Sequence, residues 1–284
     1  MSIFESSIHA PTAQAPNQPG YYKGLSNEAY HSGPGISKSQ LDLVRKSPSL
    51  LEWSKHAPED EEKKTALNVG DAVHALLLEP DRFKSEFAIG PEDAPRNTNK
   101  GKAKWAEFEA GLKPGQVVLT AEEARKIQLI YGSVMAHPNA RWLIEAEGDA
   151  EASIYWEDPD TGLLCRCRPD KNLISHGWMV DVKTTADMSK FARSVYDYRY
   201  YVQDPFYSEG FFRHFGEPLQ GFLFLVVSTS IEAGKYPVRL FCLDPEAKAK
   251  GYQEMRDDLA SVAECQRTGE FPGIETLSLP RWAA

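Results

Sequence analysis

Asp170, Asp181 and Lys183 stand close together in the stretch "RCRPDKNLISHGWMVDVKTTAD" (166–187). On a strand, residues two apart point the same way, so Asp181 and Lys183 share a face while Val182 points into the core. Asp170 closes the preceding apolar segment and comes beside Asp181 if the two segments form a hairpin. Adjacent carboxylates repel, and burial forces one to take a proton unless a cation intervenes. Magnesium is such a cation, since it takes oxygen ligands and commonly uses one or two carboxylates plus substrate phosphates. A lysine beside it can orient a water or neutralise charge on a five-coordinate phosphorus. The plainer alternative is a salt-bridged hairpin in which Lys183 only neutralises a carboxylate.

The elements that would position these residues follow from periodicity and punctuation. Ser37 and Gln40 have capping-box spacing before Leu41 and Val44, and Pro48 interrupts that helix or begins another. Residues 65–80 read as a helix with Val69, Val73, Leu76 and Leu77 in one stripe, and Gly70 and His74 four apart on one face. A polar stretch over 90–102 reads as a loop, followed by a short helix near 103–111. Thr120 and Glu123 open a further helix. The period then changes: 151–158, 162–170 and 177–185 read as a three-stranded antiparallel meander. Residues 187–216 return to helical spacing, 220–230 and 237–244 read as strands, and a long helix ends at Gly269.

These segments predict an α/β fold with a central mixed sheet flanked by helices and a helical N-terminal half. Residues 1–20, rich in Ala, Pro, Gln and Ser, read as a disordered tail. Residues 21–284 read as one domain, mainly helical over 21–148, with the catalytic core at 149–270 and a C-terminal extension at 271–284. Of the 284 residues, 42% are apolar and 26% charged, ordinary for a globular chain. There is no membrane-spanning run and no secretory signal, so a cytoplasmic location is the expectation. Four scattered cysteines suit neither a disulfide framework nor a zinc or iron–sulfur site. The net charge of −9 argues against non-specific coating of nucleic acid.

Pro169-Asp170 followed by Asp181-Val182-Lys183 resembles the PD-(D/E)xK nuclease superfamily. "GDAVH" (70–74) resembles the Gly-x-x-x-His helix of its RecB-like branch, and "QDPFY" (203–207) resembles the Gln-x-x-x-Tyr helix. With "GISKSQLDLVRKSP", "CRCRPD" and "YRYYVQDPFYSEGF", the chain from Tyr21 to Trp282 resembles the nuclease domain of RecE-type exonucleases of phages and prophages. The resemblance implies an enzyme that degrades the 5′-ended strand of linear double-stranded DNA, using magnesium and no ATP. It also implies 3′ tails left for a RecT-type annealing protein in recombination, and a ring-shaped homotetramer. It assigns metal ligation to His74, Asp170, Asp181 and the Val182 carbonyl, and makes Lys183 the catalytic lysine. A histidine ligand implies that manganese substitutes.

Gln203 and Tyr207 are then expected at the periphery of the metal site or on the phosphate. Arg168 is expected to reach a phosphate or pair with a carboxylate, and Thr184 to help position the scissile strand. In the tyrosine cluster that includes Tyr201, rings could stack on frayed bases, although a core-facing helix explains most of them equally well. Arg96, Lys100 and Lys102 form the best basic segment for duplex contact, although solvated surface charge explains them equally well. Glu151 opens the first strand and is expected to stand outside the primary ligands. Two alternatives remain: another RecB-like nuclease (an endonuclease, or a CRISPR-associated enzyme, which normally carries a four-cysteine cluster), and a catalytically idle DNA-end-binding module.

Overall fold

The computed structural model describes residues 15–58, 69–92 and 94–283. Strands among them are β1 (Gly20–Tyr22), β2 (Phe87–Ile89), β3 (Val117–Leu119), β4 (Asp149–Ala150), β5 (Ser153–Glu157), β6 (Leu164–Cys167), β7 (Lys171–Leu173), β8 (Trp178–Thr185), β9 (Gly221–Ser228) and β10 (Val238–Phe241). The central sheet runs β10-β9-β8-β7-β4. It is mixed: β8 and β9 are parallel and the other neighbours antiparallel. An antiparallel sheet β1-β5-β6 and a parallel pair β2-β3 complete the strands.

Strand β9 and the first half of β8 are apolar on both faces, as a strand covered on both sides must be. Val180, Val182, Leu225 and Val227 pack under helices Val69–Leu78, Ala121–Ala136 and Pro138–Glu145. Met179, Phe222, Phe224 and Val226 pack under helices Tyr200–Phe215 and Pro245–Thr268 and the β5–β6 hairpin. The resulting architecture is the expected α/β one, a mixed sheet flanked by helices. Local signals hold at several helix starts. The Ser37/Gln40 and Thr120/Glu123 capping boxes form, and Pro48 stands in a first turn where a missing N–H costs nothing. Pro80, expected only to end the helix before it, also opens a further one, Pro80–Glu86. No helix among the described residues is long and apolar enough to cross a membrane.

Three expectations are corrected. The meander is split between sheets: β6 pairs with β5, and at Asp170 the chain passes into β7, which pairs with β8. The β7–β8 ladder covers only Lys171–Leu173 against Trp178–Val180, whereas β9 follows β8 over its full length. From Asp181 onward, among the described residues, β8 therefore has no strand beside it on the β7 side. Second, the stretch around 96–104 is helix from Asn99 to Ala110, because the Thr98 hydroxyl accepts the Gly101 N–H and caps it. Third, the helical stretch 187–216 is broken between helices Phe191–Asp197 and Tyr200–Phe215, where Arg199 has φ 52°. Most of the expected tail, residues 1–14, and residues 65–68 of the expected helix 65–80 lie outside the described residues.

Candidate active site

The site occupies the open edge of β8. Where β7 ends, the Val182 N–H donates instead to Asp170 Oδ2 at 2.5 Å, so a carboxylate replaces the missing strand. Asp181 and Lys183 point together toward helix Tyr200–Phe215. Gln203 Nε2 on that helix donates to Asp181 Oδ1 at 2.5 Å. Lys183 Nζ lies 2.5 Å from Asp181 Oδ2 and 4.6 Å from the centre of the Tyr200 ring. Asp181 Oδ2 is buried and meets that ammonium off hydrogen-bond alignment, which leaves an acceptor position without a donor.

His74, from the helix on the other face of the sheet, enters the same edge. Its Nε2 is 3.0 Å from Asp170 Oδ2 and 3.3 Å from Glu151 Oε1. Glu151 sits between β4 and β5 at φ 53°, a left-handed conformation unusual for a glutamate, and its N–H donates to the Asp170 carbonyl at 3.1 Å. Strained backbone of this kind is found where geometry serves a site. One ligand atom each from His74, Glu151 and Asp170 lies within 4.8 Å of the others. Glu151, expected outside the primary ligands, is thus among the converging side chains; its place there depends on a turn that strand periodicity does not specify.

The charges are strongly coupled. Burial disfavours the imidazolium of His74, but Asp170, then Glu151 and Asp181, outweigh it and raise its pKa to about 9. Burial, with the Asp170 charge, pushes Glu151 up to about 7. Burial also acts to raise Asp170, yet His74 and Lys183 hold it below the usual carboxylate range. Asp181 is raised, by burial first and despite Lys183. Lys183 is raised because Asp181 and Asp170 overcome its burial. A pocket that drives protons onto a histidine and a glutamate carries excess negative charge, which a divalent cation would neutralise. One imidazole nitrogen with converging carboxylate oxygens is a donor set suited to a divalent cation. The residues present therefore fit a metal, with His74, Glu151 and Asp170 as the side chains that converge and Asp181 alongside.

The site opens into a cleft of ≈ 380 Å³ lined by Asn27, His31, Arg82, Val182, Thr184 and Tyr200, among others. Thr184 is exposed on that wall. Tyr207 shares a helix face with Gln203, but its ring packs edge-on against Phe222 at 5.7 Å and burial drives its hydroxyl pKa far up. Arg168 is corrected from a phosphate contact to a brace. It is buried, and its Nε, Nη1 and Nη2 donate to Ser153 Oγ, Asn27 Oδ1 and the Leu25 carbonyl. Tyr201 is corrected likewise: it is buried and its hydroxyl donates to Glu254 Oε2 at 2.9 Å. Arg96, Lys100 and Lys102 are exposed but line no part of this cleft, and the Arg96 guanidinium stacks 3.8 Å above Trp105.

No curated protein matches the chain. A solved structure of a provisionally assigned exonuclease from Eubacterium rectale superposes with a TM-score of 0.57 at 13% identity, covering 89% of this chain and 96% of that one. At that identity the likeness is one of fold. Residues 37–276 match the family described as a PDDEXK-like domain of unknown function (DUF3799), a span that takes in His74, Glu151, Asp170, Asp181, Lys183 and Gln203 alike. The chain thus belongs to that PDDEXK-like family, with a nuclease-like fold of the PD-(D/E)xK superfamily.

Proposed function

We propose that this protein is a magnesium-dependent exodeoxyribonuclease that degrades the 5′-ended strand of linear double-stranded DNA and leaves 3′ single-stranded tails. The observation that carries the reading is the convergence of His74, Glu151 and Asp170 beside the Asp181–Lys183 pair at one open strand edge. A bound divalent cation would supply charge neutralisation at the phosphodiester and a more acidic water. Asp170 and Glu151 contribute the negative charge that holds the cation, and His74 takes part as the neutral imidazole. Gln203 fixes the Asp181 carboxylate through Oδ1. Lys183 holds its ammonium beside that carboxylate, where it orients the attacking water or meets negative charge developing on the phosphorus oxygens. Thr184 contacts the strand at the cleft wall. By resemblance to RecE-type enzymes, the products pass to a RecT-type annealing protein and the working form is a ring tetramer that needs no ATP.

Linear duplexes labelled at one end, digested with and without magnesium beside covalently closed circles, test the reading. The expected result is magnesium-dependent loss of the 5′-ended strand and intact circles. Rapid loss of circles would make the protein an endonuclease. No metal-dependent cleavage of any duplex would make it a DNA-end-binding module.

A further inference from the structure

The exposed tyrosines of the cluster are Tyr196 and Tyr198, not Tyr201, and Tyr198 is joined to the active site. Between helices Phe191–Asp197 and Tyr200–Phe215 the chain turns through Arg199 in the left-handed region, disfavoured for any residue but glycine. Three carboxylates hold that turn: Arg199 Nη1 meets Asp42 Oδ1 at 2.9 Å, and Nη2 meets Asp258 Oδ2 at 2.5 Å and Glu254 Oε2 at 3.2 Å. Lys38 Nζ donates to the Tyr198 carbonyl at 2.5 Å. These contacts hold the turn, and aromatic rings stack beside it. Tyr198 stacks on Tyr200 with centroids 5.7 Å apart and planes at 29°, and Tyr200 stacks on the fully buried Phe224 at 5.9 Å and 29°. Three offset rings thus run from the core through the cleft wall to solvent. Tyr200 lines the cleft beside Lys183, and Tyr198 is 62% exposed.

We propose that Tyr198, backed by Tyr200, forms a stacking platform for the outermost base at a DNA end, an inference that rests on the nuclease reading above. Every base has a π-face, so stacking on tyrosine tolerates any sequence. Inside a continuous duplex both faces of each base are covered by neighbours; an end leaves one face free. An aromatic surface anchored in the core and set beside Lys183 therefore recognises ends, and it delivers the terminal phosphates to the cleft. It also supplies affinity that does not depend on phosphate attraction, which a chain of net charge −9 is poorly equipped to provide.

The test uses short linear duplexes with 2-aminopurine at the terminal or an internal position, with calcium in place of magnesium and binding followed by anisotropy. The wild-type protein should quench the terminal probe and leave the internal one unchanged. Tyr198→Ala should abolish that quenching and weaken binding to linear duplex roughly tenfold, and Tyr198→Trp should restore both. Tyr196→Ala removes an equally exposed ring that stacks on Tyr201 instead, and it should leave the quenching intact. Binding without terminal quenching overturns the platform, as does equal loss in Tyr196→Ala. If no linear duplex binds at all, the nuclease reading falls and the platform falls with it.

Discussion

Lys183 and the three converging side chains divide the work differently, and single substitutions separate them. Lys183→Ala should lower cleavage by roughly 10²- to 10³-fold, the usual loss when a group that meets transition-state charge is removed. Its metal affinity, followed by titration calorimetry, should stay near wild type, because the ammonium adds no ligand. Glu151→Gln and His74→Ala should instead weaken divalent-cation binding by roughly tenfold or more, with activity partly recovered at high metal concentration. A Glu151→Gln protein with wild-type metal affinity would remove Glu151 from the ligand set. Asp170, Asp181 and Lys183 were legible in the sequence because a strand's two-residue period and a short reversal bring them together. Glu151 was not, since its carboxylate is aimed by a left-handed turn and by contacts with a helix about 80 residues away. Arg168 misled for the complementary reason. Alternation gives the face of a strand, but not that Asn27 and Leu25 come back to take its donors.

At the scale of elements, the crossing of helices Tyr200–Phe215 and Pro245–Thr268 holds the lysine side of the site. Gly251 makes that crossing possible, since a Cβ there would run into the Tyr201 backbone carbonyl. Backbone cannot yield as a side-chain tip can. Gly251→Ala should therefore lower stability by about 1–3 kcal/mol or more in urea unfolding, the range seen for overpacked sites. Because Gln203 rides on the displaced helix, activity at fixed folded fraction should fall as well. A fully stable, fully active Gly251→Ala protein would show that the two helices separate at no cost. Several helix starts were readable from caps, as at Ser37, Pro48 and Thr120. The break at Tyr198-Arg199 was not, because it exists only where Asp42, Glu254 and Asp258 meet the arginine from distant helices.

For the molecule as a whole, the metal-free site couples folding to pH. His74 has a pKa of about 9 in place against 6.5 free, and Glu151 about 7 against 4.5, so both bind protons more tightly in the folded state. Their stabilising contributions are complete below the free values and are lost as pH rises through about 7 for Glu151 and about 9 for His74. Asp170, held low, acts oppositely and contributes above its free value of 3.8. In chelator, the thermal midpoint should therefore fall between pH 6.5 and 9, with a His74 share of up to about 3 kcal/mol. Saturating divalent cation should abolish the fall, because a liganded His74 is already neutral. A midpoint that is flat over this range in chelator would mean that the carboxylates do not hold a proton on His74.

Local rules determined the parts of this protein: strand and helix periods, caps, the Asp and Lys on one face of β8, and the motifs that resemble a nuclease. Those rules act over a few residues, and composition acts over the whole chain. Tertiary structure decided how the parts meet. It split the expected meander between two sheets and ended β7 early, so that β8 presents an open edge to which Asp170, Glu151 and His74 all come. It also turned Tyr201 inward and left Tyr198 outward. The physical reason is one of range. Periodicity says which way a side chain points along its own element, whereas its partners are set by where chain segments far apart in sequence find apolar faces to bury.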